Sequence, residues 1–333
     1  MELPNTSGNW SDLSEGTSDH WDHLECRLTA TENRLSRAER RLGVTWGCAF
    51  VGIVGAFVLG LSPEARAQFG VTLTSLNNRL TAVETKTRFV SVSGDEMFIT
   101  GANLNIRSGS GSTEAQGTVN GKGNLIIGYN EAQGESGDER GGSHNLIIGN
   151  YHDYSSYGGI VAGQYNRIVS EFASVTGGNQ NTASAVYACV TGGQLNVASG
   201  FLSSVSGGFF NTATGDYACV SNGQLNTASG IYSSVSGGRQ NTASGIYSSV
   251  SGGGGNTASG PTSSISAGFV NNASGNLTSV SGGQSNTASG FSASVSGGQS
   301  NKAEGKSSSV SGGFKRLGFG DYDWAAGMLF QDD

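Results

Sequence analysis

The sequence predicts an all-β solenoid, a parallel β-roll built from 15-residue repeats, on three observations. An aliphatic residue in a Ser-Val-Ser-Gly-Gly phrase recurs every 15 residues from residue 175 onwards. The asparagine of an Asn-Thr-Ala-Ser-Gly phrase recurs at the same interval. Glycines, serines and threonines are so frequent in each unit that a helix is disfavoured. A fixed short period without insertions indicates supersecondary units stacked on one another.

The two series predict two structural ladders along the stack. Like residues lie above like at roughly 4.8 Å, and asparagine amides in such columns hydrogen-bond along the stack. The first ladder is Val175, Val190, Val205, Val220, Val235, Val250, Ile265, Val280, Val295 and Val310. The second is Asn181, Asn196, Asn211, Asn226, Asn241, Asn256, Asn271, Asn286 and Asn301.

Each unit is predicted to hold two short strands joined by corners. Glycines at the corners supply a positive φ where one is required. Because side chains alternate along a strand, Tyr232 faces away from Val235. A third column therefore faces outward, and it begins with Phe172, Tyr187, Leu202, Tyr217, Tyr232 and Tyr247. One valine and a few alanines per coil bury little apolar area, so we expect further burial by association with other copies of the chain.

Composition excludes several classes of function. The 333 residues carry a net charge of −7, which gives no reason to expect nucleic acid as a partner. Between residues 155 and 313 the only acids are Glu171, Asp216 and Glu304, so paired carboxylates for glycan cleavage are missing. No aspartate recurs at the repeat period, as calcium-binding repeats require. The sequence therefore predicts a protein that is not an enzyme and has no cofactor.

Four residues were considered as reactive groups. Cys189 and Cys219 replace serine at one repeat position, two coils apart, and ~9.5 Å is beyond the reach of a disulfide within the chain. They are interpreted as small side chains. His144 and His152 are close enough in sequence for a metal site, but histidines that bond to neighbouring groups are the simpler interpretation.

The N-terminal third has a different organisation. Residues 1–19 are polar and predicted to be disordered, and residues 20–43 predict a cytoplasmic amphipathic helix or a coiled coil. Residues 44–61 form an apolar run preceded by arginines, which predicts either a transmembrane anchor or the h-region of a signal sequence. In the second interpretation cleavage falls between Ala67 and Gln68. Both interpretations export the rest of the chain.

Residues 71–90 contain a second heptad pattern, which predicts a short coiled coil. Its apolar positions are the oligomerisation seam Leu73, Leu76, Leu80 and Val83. These positions do not by themselves decide between two and three strands. We expect the seam to bring copies together and to set their register.

The remaining segments are β-rich. Residues 91–165 predict an N-terminal β domain with cap coils, because Leu-Ile-Ile-Gly phrases follow Asn124 and Asn145. Residues 166–313 predict the regular β-roll. Residues 314–333 are aromatic and non-repetitive, and are expected to form a C-terminal cap after the repeat stops.

The phrases Ser234–Gly238 and Asn241–Gly245 resemble the two phrases of the YadA-like head repeats of trimeric autotransporter adhesins. The resemblance covers roughly residues 120–313. It implies a left-handed parallel β-roll, a homotrimer with an adjoining coiled coil, and adhesion. The family's C-terminal membrane anchor has no counterpart in residues 314–333. The coiled-coil and membrane segments lie N-terminal instead.

The sequence thus predicts an exported, trimeric, adhesin-like fibre that attaches to a surface, a matrix or other cells. The expected partners are other copies of the chain, the membrane through residues 44–61 if they are uncleaved, and surface glycans or matrix proteins. The expected location is the cell surface or the extracellular space, with a periplasmic solenoid anchored in the inner membrane as the alternative. Two other functions stay open. One is a structural spacer of an envelope or appendage, and the other is a flat array that binds ice or polysaccharide.

Overall fold

The structure of the protein is a computed structural model that describes residues 63–114, 119–134 and 138–327. The predictions for residues 1–19, 20–43 and 44–61 lie outside these ranges. Among the described residues, no helix is both long and apolar enough to span a bilayer. The chain divides into two compact units, residues 1–103 and 104–333.

In the first unit the structure describes one helix and one hairpin. Helix α1 spans Pro63–Thr87 and includes most of the predicted coiled-coil segment. The hairpin pairs β1 (Val90–Ser93) with β2 (Glu96–Ile99) in antiparallel register. The segment 71–90 was predicted to be helical throughout, but Val90 opens β1. Alternating Val and Ser residues favour a strand there, since period two does not suit a helical face.

The second unit is a parallel β-solenoid of about 12 turns. In chain order its strands are β3 (Leu125–Ile127), β4 (Leu146–Asn150), β5 (Asp153–Tyr154), β6 (Ile160–Gln164), β7 (Arg167–Ile168), β8 (Ser174–Val175), β9 (Thr182–Ala183), β10 (Cys189–Val190), β11 (Val197–Ala198), β12 (Ser204–Val205), β13 (Thr212–Ala213), β14 (Cys219–Val220), β15 (Thr227–Ala228), β16 (Ser234–Val235), β17 (Thr242–Ala243), β18 (Ser249–Val250), β19 (Thr257–Ala258), β20 (Ser264–Ile265), β21 (Asn272–Ala273), β22 (Ser279–Val280), β23 (Thr287–Ala288), β24 (Ser294–Val295), β25 (Lys302–Ala303), β26 (Ser309–Val310), β27 (Leu317–Gly318) and β28 (Trp324–Ala325).

These strands form two facing sheets. The first sheet has 14 strands, which are β3 and the even-numbered strands from β4 to β28. The second has 12 strands, which are the odd-numbered strands from β5 to β27. Pairing is parallel and in register, so that Val235 lies opposite Val220 on one side and Val250 on the other. The prediction of an all-β parallel solenoid with 15-residue coils is confirmed.

The corners of each coil use the left-handed backbone region three times. In the coil around β16 and β17 these corners are Tyr232, Gly238 and Gln240, with φ of 59°, 89° and 57°. Only one of the three is a glycine. Between the corners, a ladder of single bridges such as Gln224 to Arg239 continues the parallel stacking outside the two sheets.

The predicted cap coils at the N-terminal end belong to the same solenoid. β3 pairs with β4 so that Leu125 lies opposite Leu146. β4 in turn pairs with β6, which leads into the regular array through β8. The chain segments between these strands are longer than in the regular coils and form loops. The strands that they connect still pair with one another, so the first sheet is continuous from β3 to β8.

At the other end the repeat continues further than the sequence predicted. We expected the repeat to stop at Gly313, yet Leu317 pairs with Lys302 and Trp324 pairs with Ser309 in the same register. The phrases there have lost their repeat residues but keep the 15-residue spacing. Backbone pairing with the coil before them does not require those side chains, so residues up to Ala325 form one more coil.

Candidate functional site

The aliphatic ladder fills the interior of the solenoid. Its ten residues are at most 1% exposed, and the alanines of the second sheet, such as Ala243, face them and are equally buried. A further interior column holds one small residue in each coil, for example Ala218 or Ser233. The interior therefore has room for one valine or isoleucine per coil and otherwise only small side chains.

The asparagine ladder is the polar counterpart of the aliphatic one. Asn241 is fully buried, and its backbone N–H donates to Oδ1 of Asn226 at 3.0 Å. Its Nδ2 donates to the carbonyl of Gly237 in its own coil at 2.9 Å and to that of Gly253 in the next coil at 3.0 Å. Each amide thus bonds mainly to backbone rather than to the next amide. The pattern satisfies buried backbone groups in two successive coils.

His152 begins this ladder at the N-terminal end. Its Nδ1 accepts the backbone N–H of Asn166 at 3.2 Å, and its Nε2 lies 3.0 Å from the carbonyl oxygen of Ile148. These are the contacts that Oδ1 and Nδ2 make in the asparagines. This role of His152 was not predicted from the sequence. The spacing of 14 residues to Asn166 and then 15 to Asn181 was the available signal.

Burial lowers the pKa of His152, against opposing contributions from its hydrogen bonds and from Asp153. Since Nδ1 accepts a hydrogen bond, the neutral ring with its proton on Nε2 is the form that fits the ladder. The pKa of Asp153 is raised, first of all by burial. Its carboxylate lies 3.7 Å from Arg167, which also pairs with Glu139 at 3.1 Å.

One edge of the solenoid carries a continuous row of aromatic rings, which we call the tyrosine stripe. Its members are Phe172, Tyr187, Phe201, Tyr217, Tyr232 and Tyr247. Five of the rings stack in two groups: Phe172 on Tyr187 at 5.1 Å, and Tyr232 on both Tyr217 at 4.5 Å and Tyr247 at 5.0 Å between centroids. The ring of Phe201 joins the two groups through edge contacts with Tyr187 and Tyr217.

The stripe is exposed and almost uncharged. Its members from Tyr187 to Tyr247 are between 38% and 59% exposed. Partial desolvation, followed by the influence of Tyr217 and Tyr247, raises the pKa of Tyr232. The outward column was predicted from the sequence, and Leu202 has the same left-handed corner conformation as its tyrosines. The ring of Phe201 was missed. Phe201 is the residue before Leu202, and its ring reaches Tyr187 and Tyr217 from a different repeat position. The 15-residue period alone does not reveal such a contact.

A second apolar surface lies on the outer face of the first sheet at its N-terminal end. Leu125, Ile127, Ile148 and Ile160 form this aliphatic patch, and they are 36–53% exposed. Ile147 lies between its neighbours in β4 and points into the core, where it is fully buried. Alternation in β4 therefore directs Ile148 outward.

Beyond the patch, both sheets present small polar side chains. The second sheet carries a half-buried threonine column that includes Thr212, Thr227 and Thr242 and is interrupted by Val197 and Asn272. On the first sheet Cys189 and Cys219 are free, and each pairs in register with the serine of the coil between them. This arrangement agrees with their interpretation as small surface side chains.

The histidines that the sequence analysis considered for a metal do not converge. Nε2 of His144 accepts the backbone N–H of Ser108 at 3.1 Å, whereas both ring nitrogens of His152 contact backbone groups. Within the described ranges, no group of three or more His, Cys, Asp or Glu side chains is arranged to hold a metal ion. A cavity of about 350 Å³ lies beside His144 and is lined by Ile106, Arg107 and a Ser/Gly loop.

The predicted oligomerisation seam lies on α1. Leu76, Leu80 and Val83 are 56–59% exposed, and Leu73 is in the same helix. Spacings of three and four residues place these positions on one helical face. The predicted cleavage site, Ala67 and Gln68, lies near the start of this helix.

No protein-family model matches the chain, and no curated protein matches it.

Proposed function

We propose that the chain is a non-enzymatic, exported, homotrimeric fibre whose β-roll attaches cells to a surface, a matrix or other cells. The observation that carries this proposal is a solenoid of about 12 turns with ladders of Ser, Thr and aromatic side chains on its surface. Repeated equivalent positions suit many weak contacts in parallel, which together give firm attachment. The resemblance of the repeat phrases to YadA-like heads supports the same function.

Self-association is supported by three exposed apolar surfaces. These are the seam on α1, the aliphatic patch and the tyrosine stripe. Monomeric soluble proteins rarely expose contiguous apolar areas of more than a few hundred Å². A homotrimer in which some of these surfaces meet removes them from water. The proposed trimer itself follows from the resemblance.

The attachment proposal is tested in the source cells by an in-frame deletion of whole coils, residues 172–246. Because the deletion removes five whole 15-residue repeats and residue 247 takes the place of residue 172, the coils on either side keep their pairing register. We expect cells with the shortened chain to attach less than cells with the full chain at equal amounts of protein. Equal attachment, accompanied by a change in envelope integrity, would instead support a structural spacer.

The threonine column favours a second candidate, a flat array that binds ice or a crystalline polysaccharide. Thr212, Thr227, Thr242 and Thr257 stand on successive coils in a parallel sheet, so their hydroxyls are spaced at ~4.8 Å. Val197 and Asn272 interrupt the column, which weakens a match to a lattice. Thermal hysteresis measured on the purified protein tests this candidate, and its absence removes ice as the ligand.

A further inference from the structure

The tyrosine stripe is an apolar surface that no other described residue of the second unit covers. Three aliphatic side chains, Leu202, Ile231 and Ile246, lie beside its rings and are 42–47% exposed. Aromatic enrichment together with depletion of charge is typical of the centre of a protein interface. From residue 172 to residue 262 the only charged residues are Asp216 and Arg239.

Of these two charged residues only Asp216 lies at the stripe, where it is exposed and takes the repeat position of Phe201 and Ile231. Oδ1 of Asp216 accepts the backbone N–H of Phe201 at 3.0 Å, so its carboxylate already closes a corner of the coil. Arg239 belongs to the bridge ladder at the other edge of the coil, where it pairs with Gln224 and Gly254. Apart from the carboxylate of Asp216, the stripe is therefore a hydrophobic surface without charged side chains.

We propose that the tyrosine stripe is the surface on which further copies of this chain dock, so that the stripes of the copies in the homotrimer face one another. This inference rests on the self-association in the proposed function and names the surface that carries it. The stripe repeats once per coil, at ~4.8 Å. Another copy has the same period, so its rings and aliphatic side chains stay in register with this stripe along its whole length. A helical partner, with its rise of 5.4 Å per turn, drifts out of register within a few coils.

The area of the stripe fits a stable interface between two copies. An aromatic side chain has roughly 200 Å² of surface, and about half of it is exposed for the members of the stripe. Five aromatic and three aliphatic side chains together expose about 700–800 Å² on this basis. Specific protein interfaces bury about 800 Å² on each partner. The stripe therefore reaches this size without help from the flanking serines.

The first test is a chemical footprint of the purified full chain in its native state. Acetylation of tyrosine hydroxyls by N-acetylimidazole is followed residue by residue with mass spectrometry, and native mass spectrometry is recorded on the same sample. Tyr129 and Tyr322 are 93% and 72% exposed and serve as internal references. We expect Tyr217, Tyr232 and Tyr247 to react at least tenfold more slowly than the references in an oligomeric sample.

The two measurements separate this inference from the proposed function. An oligomeric chain whose stripe tyrosines react within about threefold of the references overturns the stripe as the interface and leaves self-association through other surfaces. A monomeric chain overturns both. Slow reaction of the stripe in an oligomer supports both.

The second test uses matched serine variants. The array itself has serine at the position of Tyr232 in later coils, at Ser292 and Ser307, each with φ of 54°. The triple variant Y217S/Y232S/Y247S is therefore compatible with the coil. We expect the concentration at which half of the oligomer dissociates to rise at least tenfold. An unchanged value, with the far-ultraviolet circular dichroism of the wild type, overturns the proposal.

The control variant replaces apolar residues at the other edge of the coil. Phe210 and Leu225 are 44% and 40% exposed, and serine stands at their repeat position at Ser285 and Ser300. F210S/L225S removes exposed apolar area from the same kind of corner but leaves the stripe intact. We expect its dissociation to match the wild type. Equal weakening by both sets of variants would contradict a specific role of the stripe.

Discussion

Oδ1 of Asn226 accepts the backbone N–H of Asn241, one coil further along the chain, at 3.0 Å. The same relationship recurs from Asn166 to Asn301, and it ends where Oδ1 of Asn301 accepts the N–H of Arg316 at 2.8 Å. Each amide also donates to two carbonyl groups. A narrow interior with little apolar area thus gains a second, polar source of cohesion. Networks whose members are all satisfied stiffen a buried region.

Replacing one member of this ladder should destabilise the solenoid strongly. In Asn241→Ala the carbonyl group of Gly237 loses its donor and the N–H of Asn256 loses its acceptor, whereas the carbonyl of Gly253 keeps only the N–H of Arg239. We expect the free energy of unfolding to fall by on the order of 3 kcal/mol, because buried backbone groups stay unpaired. Urea denaturation followed by circular dichroism measures the loss. Asn179→Ala, on the surface, is the control and should cost under about 0.5 kcal/mol.

Adjacent glycines should differ sharply in their tolerance of alanine. Gly253 has φ of 86°, and a Cβ there would lie 2.1 Å from the carbonyl oxygen of Gly268. Gly252 has nothing within 4 Å of such a Cβ. We expect Gly253→Ala to lower the thermal unfolding midpoint by roughly 10 °C or more, since both strain and a backbone clash act. Gly252→Ala should leave it nearly unchanged. Similar midpoints for the two variants would show that the coils are spaced more loosely than described.

Replacing interior serines by alanine should raise the stability of the solenoid. Four buried hydroxyls have no hydrogen-bond partner, those of Ser233, Ser248, Ser263 and Ser308. Alanine already occupies the equivalent position in other coils, for example at residue 218. We expect S233A/S248A/S263A to raise the free energy of unfolding by roughly 1 kcal/mol per site, because a desolvated hydroxyl is removed.

The control for these serines is a buried one with a partner. Oγ of Ser203 accepts the backbone N–H of Gly200 at 3.1 Å. Ser203→Ala should therefore be neutral or destabilising, although its burial is the same. Equal gains at Ser203 and Ser233 would mean that apolar character alone, rather than hydrogen bonding, decides stability in this column.

The N-terminal end of the ladder should be sensitive to acid. The pKa of His152 is lowered below its ordinary value of 6.5, so the unfolded chain binds more protons than the folded chain between these two pKa values. Stability is then complete above about pH 6.5 and falls as the pH drops towards the folded pKa. Hydrogen exchange at the N–H of Asn166, corrected for the intrinsic pH effect, measures the local loss.

His152→Asn supplies the control for this pH dependence. An asparagine offers Oδ1 to the N–H of Asn166 and Nδ2 to the carbonyl of Ile148, and it does not titrate. The raised pKa of Asp153 acts in the opposite sense at lower pH, and it is retained in both proteins. We expect the difference between them to vanish above about pH 7.5 and to grow as the pH falls. A constant difference would exclude protonation of His152 as the cause.

The period of the sequence was enough to predict the fold of the regular array. Val235 and Asn241 recur at one interval, and a parallel stack is the arrangement that places each on its own kind. The corners were harder. Corner glycines were expected to supply a positive φ, and Gly238 does so, but Gly245 does not. A Cβ at Gly245 would lie 2.1 Å from the carbonyl oxygen of Gly260. Close approach of the next coil explains this glycine, and the left-handed corners fall on residues such as Tyr232.

The candidate surfaces were predictable only in part. The outward direction of Tyr232 was predicted from strand alternation and is observed, although Tyr232 lies at a left-handed corner outside β16. The contact of Phe201 with two tyrosines could not be predicted, because it depends on how side chains at the corner are directed. His152 was not recognised as a ladder residue, because its imidazole has a different chemical structure from an asparagine amide. The two side chains are alike only in placing a hydrogen-bond donor and an acceptor at equivalent positions. The last coil was missed because Leu317 and Trp324 share no side-chain chemistry with the repeat. Its pairing is carried by the backbone.

The central claim is that the solenoid is displayed outside the cell as an attachment fibre. Binding of an antibody fragment, raised against residues 166–325, to intact source cells tests it most directly. We predict strong binding to intact cells, unchanged when the outer membrane is permeabilised, and none to cells that lack the chain. Binding that begins only after permeabilisation would contradict the claim, because it would place the solenoid inside the envelope, where it cannot touch another surface.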